Sequence, residues 1–212
     1  MEGHTFGTRC PHCLEETSVV RKQKMEIEPA RESGGAREGQ LAVLLDNVRS
    51  AWNVGSILRS ADGFGFTHAY LCGITPTPEH EAVKKTSLGA EEFVTWSYHK
   101  NAVKLVKGLK LEGWRVVALE EHERASPISQ IADSQFTQPV VLIAGSEVTG
   151  VDPELLDLAD EICFIPMLGQ KRSFNVAVAF GVAGFSISGS SVINGKSLTT
   201  KDTKYTKEGK GL

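Results

Sequence analysis

No apolar run in the 212-residue chain approaches the ~20 residues that a membrane span requires. The chain opens Met1-Glu-Gly-His-Thr-Phe, with no basic segment leading into an apolar stretch, so a secretory leader is not expected either. Cysteine is scarce: there are four in the chain, and two of them, Cys72 and Cys163, lie inside apolar segments, which is no disulfide framework. These absences point to a cytoplasmic protein without membrane partners. An excess of positive charge is also missing. Lys and Arg number 23 against 26 Asp and Glu, which leaves −3 overall and a pI near 6.1. That excludes a uniformly basic nucleic-acid binder but not a locally basic face. What is present, 41% hydrophobic and 23% charged residues, is the composition of a globular protein, and the length suits one α/β domain with a sizeable core.

The charge is unevenly spread. Lys100, Lys104, Lys107, Lys110 and Arg115 meet only Glu112 in their stretch, and Lys201, Lys204, Lys207 and Lys210 outnumber Asp202 and Glu208 near the C-terminus. The segment between, Glu120 to Glu161, is strongly acidic. Solvated faces account for such runs; a polyanion-binding face is the alternative.

Residues 1–39 lack hydrophobic periodicity and end in Glu-Ser-Gly-Gly-Ala-Arg-Glu-Gly, which reads as a flexible N-terminal extension. Residues 40–190 read as the folded domain and 191–212 as a lysine-rich tail. Within the domain, short apolar runs suited to buried parallel strands occur at 41–46, 69–72, 93–96, 115–119, 140–144 and 162–165. Helical patterns at 53–64 and 102–111 lie between some of them. Strands alternating with helices predict a parallel sheet flanked by helices on both faces. A last helix, 175–188, is apolar on every side and rich in Ala and Gly; burial within the monomer and a homodimer interface both satisfy that pattern.

Three clusters follow strands, where open α/β sheets place their ligands. The first is Asn53-Val-Gly-Ser-Ile-Leu-Arg59-Ser-Ala. At 100° per residue Gly55, Arg59 and Asp62 share a flank away from the apolar stripe, with Gly55 leaving that flank open. An arginine early in a helix works against the dipole, so stability explains it poorly. The second, Gly145-Ser-Glu147-Val-Thr-Gly150, precedes the proline-started helix at Pro153. It is not a dinucleotide fingerprint, because Glu147 stands where a glycine is needed and the loop does not follow the first strand. A nicotinamide oxidoreductase is thereby excluded. The third, Ile165-Pro-Met167 through Ser173-Phe174-Asn175-Val, ends in two residues suited to capping a helix.

Taken together, Asn-x-Gly-x-x-x-Arg-x-Ala, Gly-x-Glu-x-x-Gly and Ile-Pro-Met…Ser-x-Asn-Val, in that order, closely resemble the three motifs of the SpoU/TrmH family of RNA 2′-O-ribose methyltransferases in the SPOUT superfamily. The resemblance runs from about Leu41 to Ser188. It departs from the usual Ser-Leu-Asn-Val-Ser at Phe174, which keeps an apolar side chain, and at Ala177, which lacks a hydroxyl.

The resemblance implies a parallel-sheet domain with a C-terminal trefoil knot and S-adenosyl-L-methionine bound near Leu119, Gly145, Ile165, Met167 and Phe174. It implies a homodimer whose active sites are completed across subunits, and a structured RNA (tRNA or rRNA) as substrate. It assigns catalysis to Arg59, Asn53, Glu147, Ser173 and Asn175. Asn53 would orient Arg59 or the ribose, Glu147 would hold the arginine or another donor, and Ser173 and Asn175 would shape the pocket. An RNA-binding module of the same fold without catalysis is the rival reading; retention of all five residues speaks against it. Lys100–Lys110, Lys171, Arg172 and the C-terminal lysines are the expected RNA face. Separately, Cys10-Pro-His-Cys13 is half of a zinc site with no second Cys-x-x-Cys; two thiols on a flexible tail is the simpler reading.

Overall fold

The computed structural model describes residues 39–132 and 136–192. Cys10, Cys13 and the two terminal segments read from the sequence lie outside the described residues, apart from the segment-edge positions Gly39, Ser191 and Val192. The chain runs β1 (Leu41–Asp46), α1 (Ala51–Gly63), β2 (His68–Cys72), α2 (Glu81–Ser87), β3 (Thr95–His99), α3 (Ala102–Leu111), β4 (Arg115–Leu119), β5 (Ser126–Pro127), α4 (Ile128–Ala132), β6 (Val140–Ala144), α5 (Pro153–Leu158), β7 (Glu161–Phe164) and α6 (Val176–Val192). A short 3-10 turn, Ala90–Glu92, precedes β3.

The seven strands form one sheet in the order β3-β2-β1-β6-β4-β7-β5, and every pairing is parallel. Parallel strands share one C-terminal edge, so the loops after β1, β4, β6 and β7 emerge together. β1 and β6 are adjacent, with Leu45 beside Ala144, which sets the chain after Asp46 next to Gly145. The order runs from β1 outward to β2 and β3 on one side, while β6, β4 and β7 lie on the other; ligands sit at such a reversal.

β1, β6 and the middle of β4 are buried on both faces, which is why they read as continuous apolar runs. One core layer packs Val43, Leu45, Leu142 and Cys163 against Val54, Ile57, Leu58 and Phe180. The other packs Leu44, Val116 and Ile143 against Val106, Leu109 and Leu155. Burial pushes the thiols of Cys72 and Cys163 up to about 12, so neither is a nucleophile at neutral pH.

Two expectations need correction. The strand expected at 93–96 is Thr95–His99; Phe93 closes the 3-10 turn and is exposed, while Val94 is buried beneath it. An edge strand alternates rather than running apolar, and Thr-Trp-Ser-Tyr-His carries no run to find. Gly55 does not leave the Arg59 flank open. It is buried against α2, where a Cβ would collide with Thr86 Oγ1 and the Val83 carbonyl oxygen. Its bareness lets two helices approach closely.

Burial within the monomer does not hold for the whole of the last helix. α6 buries Phe180, Ala183 and Ile187 but turns Val178, Val182 and Phe185 outward, Phe185 being 66% exposed. Among the described residues no helix is long and apolar enough to cross a membrane.

Candidate functional site

The site starts at a hairpin turn. After β6 the backbone of Ser146 and Gly150 exchange two hydrogen bonds, Ser146 N–H to Gly150 O at 3.0 Å and Gly150 N–H to Ser146 O at 2.9 Å. Gly150 takes φ 73°, a left-handed backbone that glycine adopts without strain, and a Cβ there would strike the Glu120 carboxylate. A Cβ on Gly145 would strike the backbone of Gly150 and Val151. The two glycines are what let the loop close this tightly, and Glu147 stands at its tip.

Glu147 faces the chain leaving β1. Its carboxylate accepts hydrogen bonds from the Arg49 N–H (3.1 Å), the Ser50 N–H (3.3 Å) and the Asn53 side-chain amide (2.8 Å). Burial alone would raise its pKa. The bonds from the Arg49 backbone, the Asn53 amide and the backbones of Glu147 and Ser50 outweigh that and hold the carboxyl below the usual range. Ser50 also caps α1, its hydroxyl accepting from the Asn53 N–H.

The third loop joins through Asn175. Its amide donates to Asn53 Oδ1 at 3.1 Å, while its own Oδ1 accepts from the Ala177 N–H at 2.9 Å and caps α6. Capping and site assembly are therefore carried by one residue. Glu147, Asn53 and Asn175 form a chain of side-chain hydrogen bonds that ties together the loops after β6, β1 and β7. Ser173 is exposed in the same loop.

Beside this chain lies an open cleft of about 560 Å³, within the range of small-molecule sites. Leu119, Gly145, Ile165, Met167 and Phe174 all line it, as do Glu147, Ser173 and Asn175. Arg59 does not join them. It is exposed, makes no ion pair or hydrogen bond among the described residues, and leaves α1 six residues beyond Asn53, about 9 Å along the axis and about 120° around it.

One supporting residue escaped the sequence reading. Glu120, at the end of β4, accepts the Val151 N–H at 2.9 Å and braces the hairpin from behind. The only cue in the sequence was an acidic pair closing an apolar strand. Among the described residues no three His, Cys, Asp or Glu side chains gather as a metal site.

Comparison with known proteins finds that the SpoU rRNA Methylase family model matches residues 40–185. A tRNA (guanosine(18)-2′-O)-methyltransferase from Thermus thermophilus is 33% identical over 172 residues, covering 81% of this chain and 84% of that one. An AdoMet-bound rRNA methyltransferase from Sinorhizobium meliloti superposes with a TM-score of 0.67 at 29% identity, over 72% of this chain and 57% of the other. The A. aeolicus TrmH/SpoU tRNA modifying enzyme superposes with a TM-score of 0.64 at 27% identity, over 73% and 76%.

Proposed function

The chain belongs to the SpoU rRNA methylase family, and from that we propose that it transfers the methyl group of S-adenosyl-L-methionine to a ribose 2′-hydroxyl of a structured RNA. tRNA is the favoured substrate, because a relative spanning most of both chains is a tRNA methyltransferase. The observation that carries this reading is the hydrogen-bonded chain Glu147–Asn53–Asn175, which holds three loops around one cleft.

The cleft suits the cofactor in size and in lining. Leu119, Ile165 and Phe174 offer apolar surface, and the Gly145 to Gly150 hairpin offers closely approached backbone. When bound, S-adenosyl-L-methionine supplies a methyl already activated by positively charged sulfur. The protein then has to align a ribose oxygen with it and manage the departing proton.

Glu147 is poorly suited to take that proton. Three donors occupy its carboxylate and hold it in its charged form, so its task is to fix Asn53 and the start of α1. Asn53 and Asn175 hold each other rather than Arg59, and Asn175 with Ser173 shapes the cleft wall where the ribose sits. Arg59 offers a planar fork of hydrogen-bond donors. Its work is to clamp a neighbouring phosphate and stabilise alkoxide charge as the hydroxyl reacts.

The position of Arg59, two turns along α1 and free of partners among the described residues, fits a homodimer in which Arg59 of the partner subunit completes each cleft. Val178, Val182 and Phe185 at i, i+4 and i+7 on α6, with Trp52 exposed on α1, supply apolar surface for such an interface. The trefoil knot implied by family membership and a cytoplasmic location belong to the same reading. Calorimetry on protein whose solution mass is fixed by sedimentation tests it: a dimer that releases heat with S-adenosyl-L-methionine is expected. No binding overturns the cofactor assignment, and a monomer overturns the shared site.

A further inference from the structure

A second cleft, of about 530 Å³, opens on the same edge of the sheet but on the α3/α5 side. One wall is Lys100, Lys104 and Lys107; the other is Asp152 and Glu154, which directly follow the Glu147 hairpin. The two clefts thus flank the same turn. Building on the RNA-methyltransferase reading above, we propose that Lys100, Lys104 and Lys107 form a docking strip for the phosphate backbone of the RNA, beside the reacting nucleotide.

The strip is built by local structure. Lys100 follows β3, and Asn101 caps α3 by accepting the Lys104 N–H at 2.8 Å, so the helix starts at the loop-bearing edge. Lys104 and Lys107 fall at i and i+3 on α3, which puts them on one face, and Lys100, just ahead of the helix, lines the same cleft. β3 stands three strands from β6 in the sheet. At ~4.8 Å per strand that is about 14 Å, a span of only a few nucleotides. One RNA can therefore meet both the strip and the catalytic loops.

Charge accounting separates these lysines from their neighbours. Among the described residues the ion pairs take Lys85, Lys110, Arg115 and Arg124, with Lys110 on Asp160 and Arg115 on Glu161. Two of the basic residues expected to face a polyanion are thus already neutralised by acids of the following segment. Among the described residues Lys100, Lys104 and Lys107 make no side-chain hydrogen bond or ion pair. The acids of the opposite wall do not answer them. Asp46 is buried and accepts the Asp152 N–H and the Asn47 amide, and the Asp152 carboxylate caps α5 through the Glu154 N–H. Asp152 and Glu154 are both exposed on that wall, and Glu154 is the one whose carboxylate caps no helix. Three ammonium groups without an arginine fork bind as point charges, which suits phosphate positioning rather than base reading.

The test compares the full chain with its K100Q/K104Q/K107Q variant on an unmodified tRNA transcript. Each lost phosphate contact should lower the slope of log affinity against log salt by about 0.7–0.9, so a drop of about 2 is expected. KM for the tRNA should rise on the order of 10-fold or more. Heat of S-adenosyl-L-methionine binding serves as the folding control and should not change. Glu154→Gln should tighten tRNA binding by removing repulsion. A triple variant with the wild-type salt slope and KM overturns the strip. A wild-type chain that moves no methyl to RNA overturns instead the activity on which the strip rests.

Discussion

Glu147 draws its three hydrogen bonds from one short stretch of chain, residues 49–53, and it does so as an anion. The pH dependence follows from the sign of its shift. A carboxyl held below its ordinary value contributes stability that is present above the unfolded pKa and is lost as pH falls through the folded one. Thermal unfolding midpoints of the wild type and of Glu147→Gln should therefore differ at neutral pH and converge in acid. A constant gap across that range would show that the charge has no part in holding the loop. Arg59 gives the opposite kind of prediction, one of activity without stability. It is exposed and unpartnered among the described residues, while Val54, Leu58 and Ala61 beneath it are buried, so Arg59→Ala should unfold within about 0.5 kcal/mol of wild type. Methyl transfer should fall on the order of 10²-fold or more. Arg59→Lys should recover little, because a compact ammonium lacks the planar fork. Near-wild-type turnover by a folded Arg59→Ala protein would contradict its role.

Among the elements, the hairpin between β6 and α5 decides whether a cleft exists. Gly150→Ala would force a left-handed backbone on a residue with a Cβ, about 1–2 kcal/mol of strain, and would push the Glu120 carboxylate off the Val151 N–H. Cofactor affinity measured by calorimetry should fall on the order of 10-fold or more, since small misplacements of binding groups are costly. Unchanged affinity would mean that the hairpin geometry is not what shapes the cofactor wall. The same elements show what a sequence can and cannot disclose. β1, β4 and β6 are legible because strands buried on both faces leave apolar runs, and α3 because its inward face repeats at helical spacing. β3 was displaced because an edge strand leaves no such run. α2 was missed because seven residues with two buried positions carry no period. Gly55 was misread because a helical wheel cannot show that a second helix will be laid against it. Glu120 acquires its meaning only when β4 pairs with β6, a neighbour relation not written locally.

At the scale of the whole molecule, the all-parallel sheet brings three stretches that are far apart in the chain, those after β1, β6 and β7, to one edge. The motif residues could be recognised one by one, but the bond from Asn175 to Asn53, across 122 positions, comes only from the fold. The same edge carries the lysine strip on its other face, so one surface presents the cleft, the assembled asparagines and the unpaired cations to a single large polyanion. The central claim is that this surface methylates RNA on ribose. It is tested most directly by incubating the wild-type chain and methyl-labelled S-adenosyl-L-methionine with undermodified total RNA, then mapping the label by nucleoside mass spectrometry. The account predicts label on a 2′-O-methylated ribose in tRNA. Label on a base, or no label from protein that binds the cofactor, would contradict it.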